Sequence, residues 1–298
     1  MNVKRMIIGC GYVGYRLAQA EQAQGYEVEA FVTSNEKSQQ LRAQGLACSV
    51  LNLDQVDNEN TLNSNNAVIH YHVPPPSQGS EDLRMRHFIQ LLDRSATPKR
   101  IVLISTTGVY GNTHGEWVNE DSPTHPGTDR AKRRLDAEQT LSKWFDEKQI
   151  ELVILRVPGI YGPGRTPEAR LNKPVINKAE APYSNRIHVD DLVAACMRAA
   201  IIPEPLRIYN TVDDQPSTMT DYFNAVADHA GMARPTTITM AEAQACMSPA
   251  MLSYLGESRR IGNQLMREHL GVKLRYPNLR AGLAHCFQTK THSGENNH

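Results

Sequence analysis

Short continuous apolar runs alternate with stretches of helical spacing through the first half of the chain, the pattern of parallel strands joined by crossover helices. Residues 3–8 form the first run, and Val13, Leu17, Ala18, Ala20 and Ala23 follow it at helical spacing. Residues 27–32 and 47–51 predict two more strands, with a helix over residues 37–44 between them. A fourth strand, residues 67–73, runs into Pro74-Pro75-Pro76, where ring-locked backbone without N–H donors ends it. Leu83, Phe88, Leu91 and Leu92 then mark the inward face of a helix, residues 101–105 a fifth strand and residues 152–156 a sixth. Between the last two lies a long amphipathic helix that turns Leu135, Leu141 and Phe145 inward. The fold class is α/β, a Rossmann-type doubly wound parallel sheet.

The first strand leads directly into Gly9-Cys10-Gly11-Tyr12-Val13-Gly14, and this glycine spacing between a strand and a helix is the signature of a dinucleotide site. Gly9 permits a tight turn, Gly11 lets backbone N–H groups approach a pyrophosphate, and Gly14 allows the helix to lie close to the strand. Tyr12 and Val13 stand at the helix start, where partial positive charge meets a phosphate. A glycine-rich turn with no ligand is the alternative reading.

Beyond residue 159 the chain loosens into Pro/Gly-rich and polar stretches, then regains a helix at residues 189–200 and a strand at residues 207–211. Helical spacing dominates from residue 217 onward, with Gly231, Gly256 and Gly271 as stops. We therefore expect a dinucleotide-binding domain over residues 1–159, its sheet completed by about residues 187–211. A smaller C-terminal substrate lobe, residues 160–186 and 212–288, would cap the carboxyl ends of the strands, and residues 289–298 would form a flexible tail. The asparagine-rich run at residues 58–66 reads as a surface turn.

Composition narrows the partners. With 298 residues and 40% hydrophobic content the chain can bury a full core, and Lys+Arg and Asp+Glu both total 32. So even a charge balance favours neither nucleic acid nor an anionic membrane and points to a small-molecule substrate. No apolar run nears the ~20 residues that a membrane span requires. The five cysteines form no C-x-x-C pair, as expected of reduced thiols in a cytoplasmic protein.

Further segments stand in order along nearly the whole chain: Ser105-Thr106-Thr107-Gly108-Val109-Tyr110-Gly111, Leu155-Arg156-Val157-Pro158-Gly159-Ile160-Tyr161-Gly162-Pro163-Gly164, Arg186-Ile187-His188-Val189-Asp190-Asp191-Leu192, Tyr209-Asn210-Thr211 and the late Leu274-Arg275-Tyr276-Pro277. With the glycine turn they resemble the extended short-chain dehydrogenase/reductase family, which includes nucleotide-sugar epimerases and dehydratases, and look like an atypical branch of it. The resemblance implies an NAD(P)-binding oxidoreductase or epimerase/dehydratase-like enzyme acting on a carbonyl or hydroxyl carbon, with nucleotide sugars among the candidate substrates. Family members often form homodimers through the helices after the fourth and fifth strands. The resemblance assigns Thr106 to bond the substrate oxygen; a hydroxyl that caps the strand end is the alternative. His72, Val73, Pro74 and Pro158 would line the cofactor cleft, Leu53 and Asp54 would contact adenine, and His188 and Asp190 would close the substrate pocket and start a helix.

By the register of Leu135-Asp136-Ala137-Glu138, the family's Tyr-x-x-x-Lys pair falls on Arg130 and Arg134. A guanidinium stays protonated and cannot replace a phenol as acid. Arg134 can still hydrogen-bond a nicotinamide ribose and supply positive charge, which makes Thr106 and Arg134 the candidate catalytic residues. Arg130, Lys132, Arg133 and Arg134 also read as a solvated basic turn. Tyr110, Tyr161, Tyr183 and His114 are candidate replacement acids. His70 and His72 form an H-x-H on one strand face with no carboxylate or cysteine partner evident nearby, so no metal is expected. No acid stands at the tip of the second strand, where Thr33 and Ser34 precede Lys37; this favours NADP over NAD unless Glu36 turns inward. The missing tyrosine also supports a second class of function, a non-catalytic NADP(H)-binding sensor that regulates a partner.

Overall fold

A computed structural model describes residues 3–55 and 61–293 of the chain. Its main sheet has seven strands, β1 (Arg5–Ile8), β2 (Val28–Val32), β3 (Ala47–Val50), β4 (Val68–Tyr71), β5 (Arg100–Thr106), β6 (Glu151–Val157) and β7 (Ile208–Asn210). Their spatial order is β7-β6-β5-β4-β1-β2-β3, and every pairing is parallel. The winding reverses between β1 and β4, which opens a crevice at the carboxyl ends of the strands.

The inner strands are mostly apolar because both faces are covered. On one face α1 (Tyr12–Ala23), α2 (Asn35–Ala43) and α5 (Val189–Ile201) bury Leu17, Leu41 and Leu192 against Ile7, Val68, Val102 and Val153. On the other, α3 (Leu83–Asp93) and α4 (Asp129–Lys148) bury Phe88, Leu92, Leu141 and Phe145 against Ile8, Ile69, Leu103 and Ile154. Two details correct the sequence expectation. Leu83 is 52% exposed and Met85 fully buried, because Asp82 caps α3 by accepting from Met85 N and leaves Leu83 at an outward first position. Leu135 packs beside Val109, Tyr110 and Ile261 rather than with Leu141 on the sheet.

The later chain forms α6 (Met219–Ala230), α7 (Met240–Cys246), α8 (Pro249–Leu255), α9 (Gln264–Glu268) and α10 (Leu279–Ser293). α6 and α10 pack around Phe223, Val226 and Leu283, while Ala243 of α7 and Leu255 of α8 cluster with Ile176. Gly231 caps α6 in a left-handed conformation, the role a glycine stop serves best. α10 extends to Ser293, and residues 294–298 of the expected tail lie outside the described residues. Of the asparagine-rich run, Asn65 and Asn66 form a turn, and Asn58 and Asn60 lie outside the described residues. Among the described residues no helix is long and apolar enough to cross a membrane.

Candidate active site

Three glycines turn β1 into α1, each for a different reason. Gly9 has φ +91°, and the N–H groups of Gly9 and Cys10 donate to Phe31 O at 3.0 and 2.9 Å. A Cβ on Gly9 would stand 2.9 Å from Val73 N, so neighbouring backbone leaves no room. At Gly14 a Cβ would meet Ile7 Cγ2 at 3.0 Å, the close helix-strand contact that the spacing predicts. Gly11 differs: nothing lies within 4 Å of its Cβ position, and its φ of −92° is negative, with ψ at −145° beyond the usual extended region. α1 starts there with no side-chain cap and no acid in its first turn. An uncapped helix start facing open space suits a pyrophosphate. Val13 points into the core and Tyr12 donates its hydroxyl to Pro163 O at 3.0 Å, so both offer the turn their backbone.

Thr33 and Ser34 are exposed at the tip of β2, and Ser34 Oγ accepts from Lys37 N at 3.2 Å to cap α2. Glu36 is exposed in the first turn of α2. Leu53 is buried against the α3 side of the sheet. Asp54 is taken by Arg84, whose Nε and Nη2 both donate to it at 2.6 Å while Nη1 donates to Pro74 O at 2.9 Å. Arg84 thus lowers the Asp54 pKa and ties two crevice loops together. The His72 ring turns beneath the glycine turn instead of into the cleft, its Nδ1 standing 3.4 Å from the Gly14 Cβ position. Residues two apart in extended chain share a face, so His72 follows His70.

A cavity of about 580 Å³, a usual size for a small-molecule site, lies at the carboxyl ends of β5 and β6. Thr106, Arg134, Pro74 and Pro158 all line it. Thr106 Oγ1 accepts from Gly108 N at 3.1 Å, capping a single helical turn, and its O–H remains able to donate. Arg134 Nη1 donates to Val73 O and Ile104 O, each at 3.2 Å, and burial lowers its pKa. The basic run is not a solvated turn. Lys132 faces water and pairs with Asp129 at 3.1 Å, whereas Arg130, Arg133 and Arg134 line the cavity. Arg165, Arg186 and Arg259 join them, making six arginines in the lining against one acid, Glu257, which pairs with Arg259 at 2.9 Å. Arg130 donates to Ser253 Oγ at 2.8 Å and lies 3.7 Å over the Tyr254 ring, tethering α4 to α8.

Most candidate acids are committed elsewhere. Tyr110 OH donates to Asn210 Oδ1 at 2.8 Å and Tyr161 OH to Asn278 O at 3.4 Å, and burial raises both phenols. His114 is exposed and outside the lining, whereas Tyr183 lines the cavity. His188 is buried and absent from the lining; its Nδ1 accepts from Asp190 N at 3.2 Å to cap α5. Asp191 accepts from Arg275 N and Tyr276 N at 2.8 and 3.0 Å, which gives the late motif a docking point on α5.

Arg186 is the cavity group that sequence reasoning missed most plainly. It is 9% exposed, donates Nη1 to Asn185 O at 2.9 Å and lies 4.6 Å from the Tyr222 ring centre. Asp213 does not balance its charge, because burial pushes the Asp213 pKa up to about 8 and keeps the carboxyl protonated at neutral pH. Since the folded pKa is raised from 3.8, Asp213 supports folding fully below that pH and less as pH rises to about 8. Each pH unit across that window removes up to ~1.4 kcal/mol. Thermal melts of Asp213→Asn should lose this part of the wild-type decline between pH 4 and 8; an unchanged slope would show an ionised carboxyl.

The profile of the NAD dependent epimerase/dehydratase family matches residues 6–210. Protein YeeZ from Escherichia coli (strain K12) is 27% identical over 217 residues, covering 70% of this chain and 76% of that protein. A functionally unknown conserved protein from Silicibacter pomeroyi DSS is similar in structure, with a TM-score of 0.82 and 26% identity over 97% of this chain and 99% of that one. UDP-glucuronic acid 4-epimerase from Bacillus cereus, solved in complex with NAD, reaches a TM-score of 0.74 at 15% identity over 97% of this chain and 99% of that one, a likeness of fold.

Proposed function

Because the chain belongs to the NAD dependent epimerase/dehydratase family, we propose that it moves hydride between a nicotinamide dinucleotide and an oxygen-bearing carbon of a small anionic molecule. The observation that carries this reading is the cavity beside Thr106, with six arginines and a single acid. Two of them, Arg133 and Arg186, are buried with no ion pair among the described residues, and an anionic ligand offsets the cost of burying such cations. The open helix start at Gly11 fits a pyrophosphate. The nicotinamide, when bound, supplies the hydride acceptor or donor. The chain's own part is positional and electrostatic. Arg134 presents charge toward the ribose, Thr106 donates to the substrate oxygen, and Arg186 holds the substrate's carboxylate or phosphate.

The test is a screen of carbonyl compounds and nucleotide sugars for oxidation of reduced cofactor, repeated with Arg186→Gln. Anionic compounds should be the substrates, and Arg186→Gln should raise their KM at least ~10-fold, about 1.4 kcal/mol, without changing cofactor affinity. Neutral compounds turned over equally well would contradict the assignment.

NADP is the favoured form of the cofactor, because Thr33 and Ser34 offer hydroxyls and Lys37 a cation where no acid ends β2. Calorimetry should find NADPH bound about tenfold tighter than NADH, within reach of one charge-assisted contact, and Lys37→Gln should narrow the gap. Equal affinities would show that the tip of β2 does not read the 2′-phosphate.

A further inference from the structure

Beneath the glycine turn, on the α1 and α5 side of the sheet, three ionisable side chains converge and a fourth lies beside one of them. The His70 and His72 rings lie 6.0 Å apart, and Cys196 of α5 joins them so that one ligand atom from each lies within 4.8 Å of the others. Glu21 of α1 brings Oε1 to 3.6 Å from His70 Nε2. His70, Cys196 and Glu21 are at most 1% exposed. Both nitrogens of each ring and Glu21 Oε1, five buried atoms, have no hydrogen-bond partner. Buried polar atoms are rarely left so, and a missing ion is one physical reason when several gather; it would take one nitrogen of each ring and Glu21 Oε1, three of the five.

We propose that His70, His72 and Cys196 hold a divalent metal of the zinc class, with Glu21, which lies beside His70 and outside the three-residue cluster, turning Oε1 inward as the fourth ligand. Two imidazoles, a thiolate and a carboxylate suit a borderline-soft cation better than magnesium or calcium, which prefer oxygen alone. The Cys196 thiol releases its proton to solvent, and thiolate plus carboxylate offset the doubly charged ion, leaving the single positive charge of Arg5. Arg5 Nε holds Glu21 Oε2 at 3.3 Å, leaving Oε1 toward the histidines, the arrangement by which an outer partner orients a ligand. Metal–ligand bonds of ~2.0–2.3 Å require the ligand atoms of His70, His72 and Cys196 to draw together by about 1 Å, and Glu21 to move further. The ion braces α1 and α5 against β4 under the dinucleotide turn. Burial means that it enters as the chain folds.

Full-length chain, purified without chelator from zinc-supplemented culture, should carry about one zinc per molecule. Chelation should lower its melting temperature, and added zinc should restore it. Cobalt introduced during refolding should give tetrahedral ligand-field bands and a thiolate-to-cobalt charge-transfer band. Cys196→Ser should abolish the charge-transfer band and His72→Asn should lower the stoichiometry. Asp190→Asn should change neither, although Asp190 lies in a second cluster with His188 and His285. Folded wild type that takes up neither zinc nor cobalt overturns the site, as does a charge-transfer band surviving Cys196→Ser or metal lost with Asp190→Asn. The wild-type chelation melt needs no variant and decides the matter if Cys196→Ser fails to fold.

Discussion

Gly11→Val is expected to fold normally and to lose at least ~100-fold in nicotinamide dinucleotide affinity, about 2.7 kcal/mol. The new Cβ meets no protein atom, since nothing lies within 4 Å of its position, and φ there is negative, so the cost to the fold is confined to the ψ of −145°. Its branched side chain enters the space in front of the α1 N-terminus, where the pyrophosphate must approach backbone N–H groups. Gly9→Val is the contrasting variant. At φ +91°, with Val73 N 2.9 Å from the new Cβ, it should strain the fold itself, by ~1–3 kcal/mol for the backbone conformation before any clash is counted. Circular dichroism melts and calorimetry with NADPH separate the two. Unchanged cofactor affinity in folded Gly11→Val would falsify the role given to the glycine turn.

Turnover is expected to be slow on ordinary family substrates and to rise in Arg130→Tyr. General acid-base assistance is worth ~100- to 10,000-fold, and the position that aligns with the family tyrosine carries a guanidinium bonded to Ser253 and stacked on Tyr254. A tyrosine there restores a proton donor beside Arg134, whose charge favours the phenolate. Thr106→Val should lower whatever turnover exists by ~100-fold, the usual scale for one donor to a developing oxyanion, with dinucleotide affinity unchanged. If wild type already turns over at an ordinary rate and Arg130→Tyr leaves it unchanged, the proton donor lies elsewhere, and Tyr183 in the cavity lining is the first residue to vary.

The sheet was legible because its inner strands are buried on both faces and read as mostly apolar runs, and the glycine turn because strand, spacing and helix agree at Ile8, Gly9 and Val13. Side-chain direction at element ends was less legible. Leu83 and Met85 exchange places on the strength of one cap from Asp82, a local hydrogen bond that hydrophobic periodicity does not register. Arg165, Arg186 and Arg259 come from separate later segments, and only the fold brings them to the cavity that Thr106 and Arg134 line. Neither could sequence reveal that Asp213 stays protonated beside Arg186, or that α5 sets Cys196 against the H-x-H pair. These depend on burial and on contacts between elements distant in sequence.

A crystal structure of the chain with NADPH tests the central reading most directly. The pyrophosphate is expected at Gly11, and the reactive face of the nicotinamide within hydride reach, ~3–3.5 Å, of a ligand position bounded by Thr106 and Arg186. A nicotinamide turned away from the cavity, or a cavity filled by the Arg130 side chain, would contradict hydride transfer and support a cofactor-sensing protein instead.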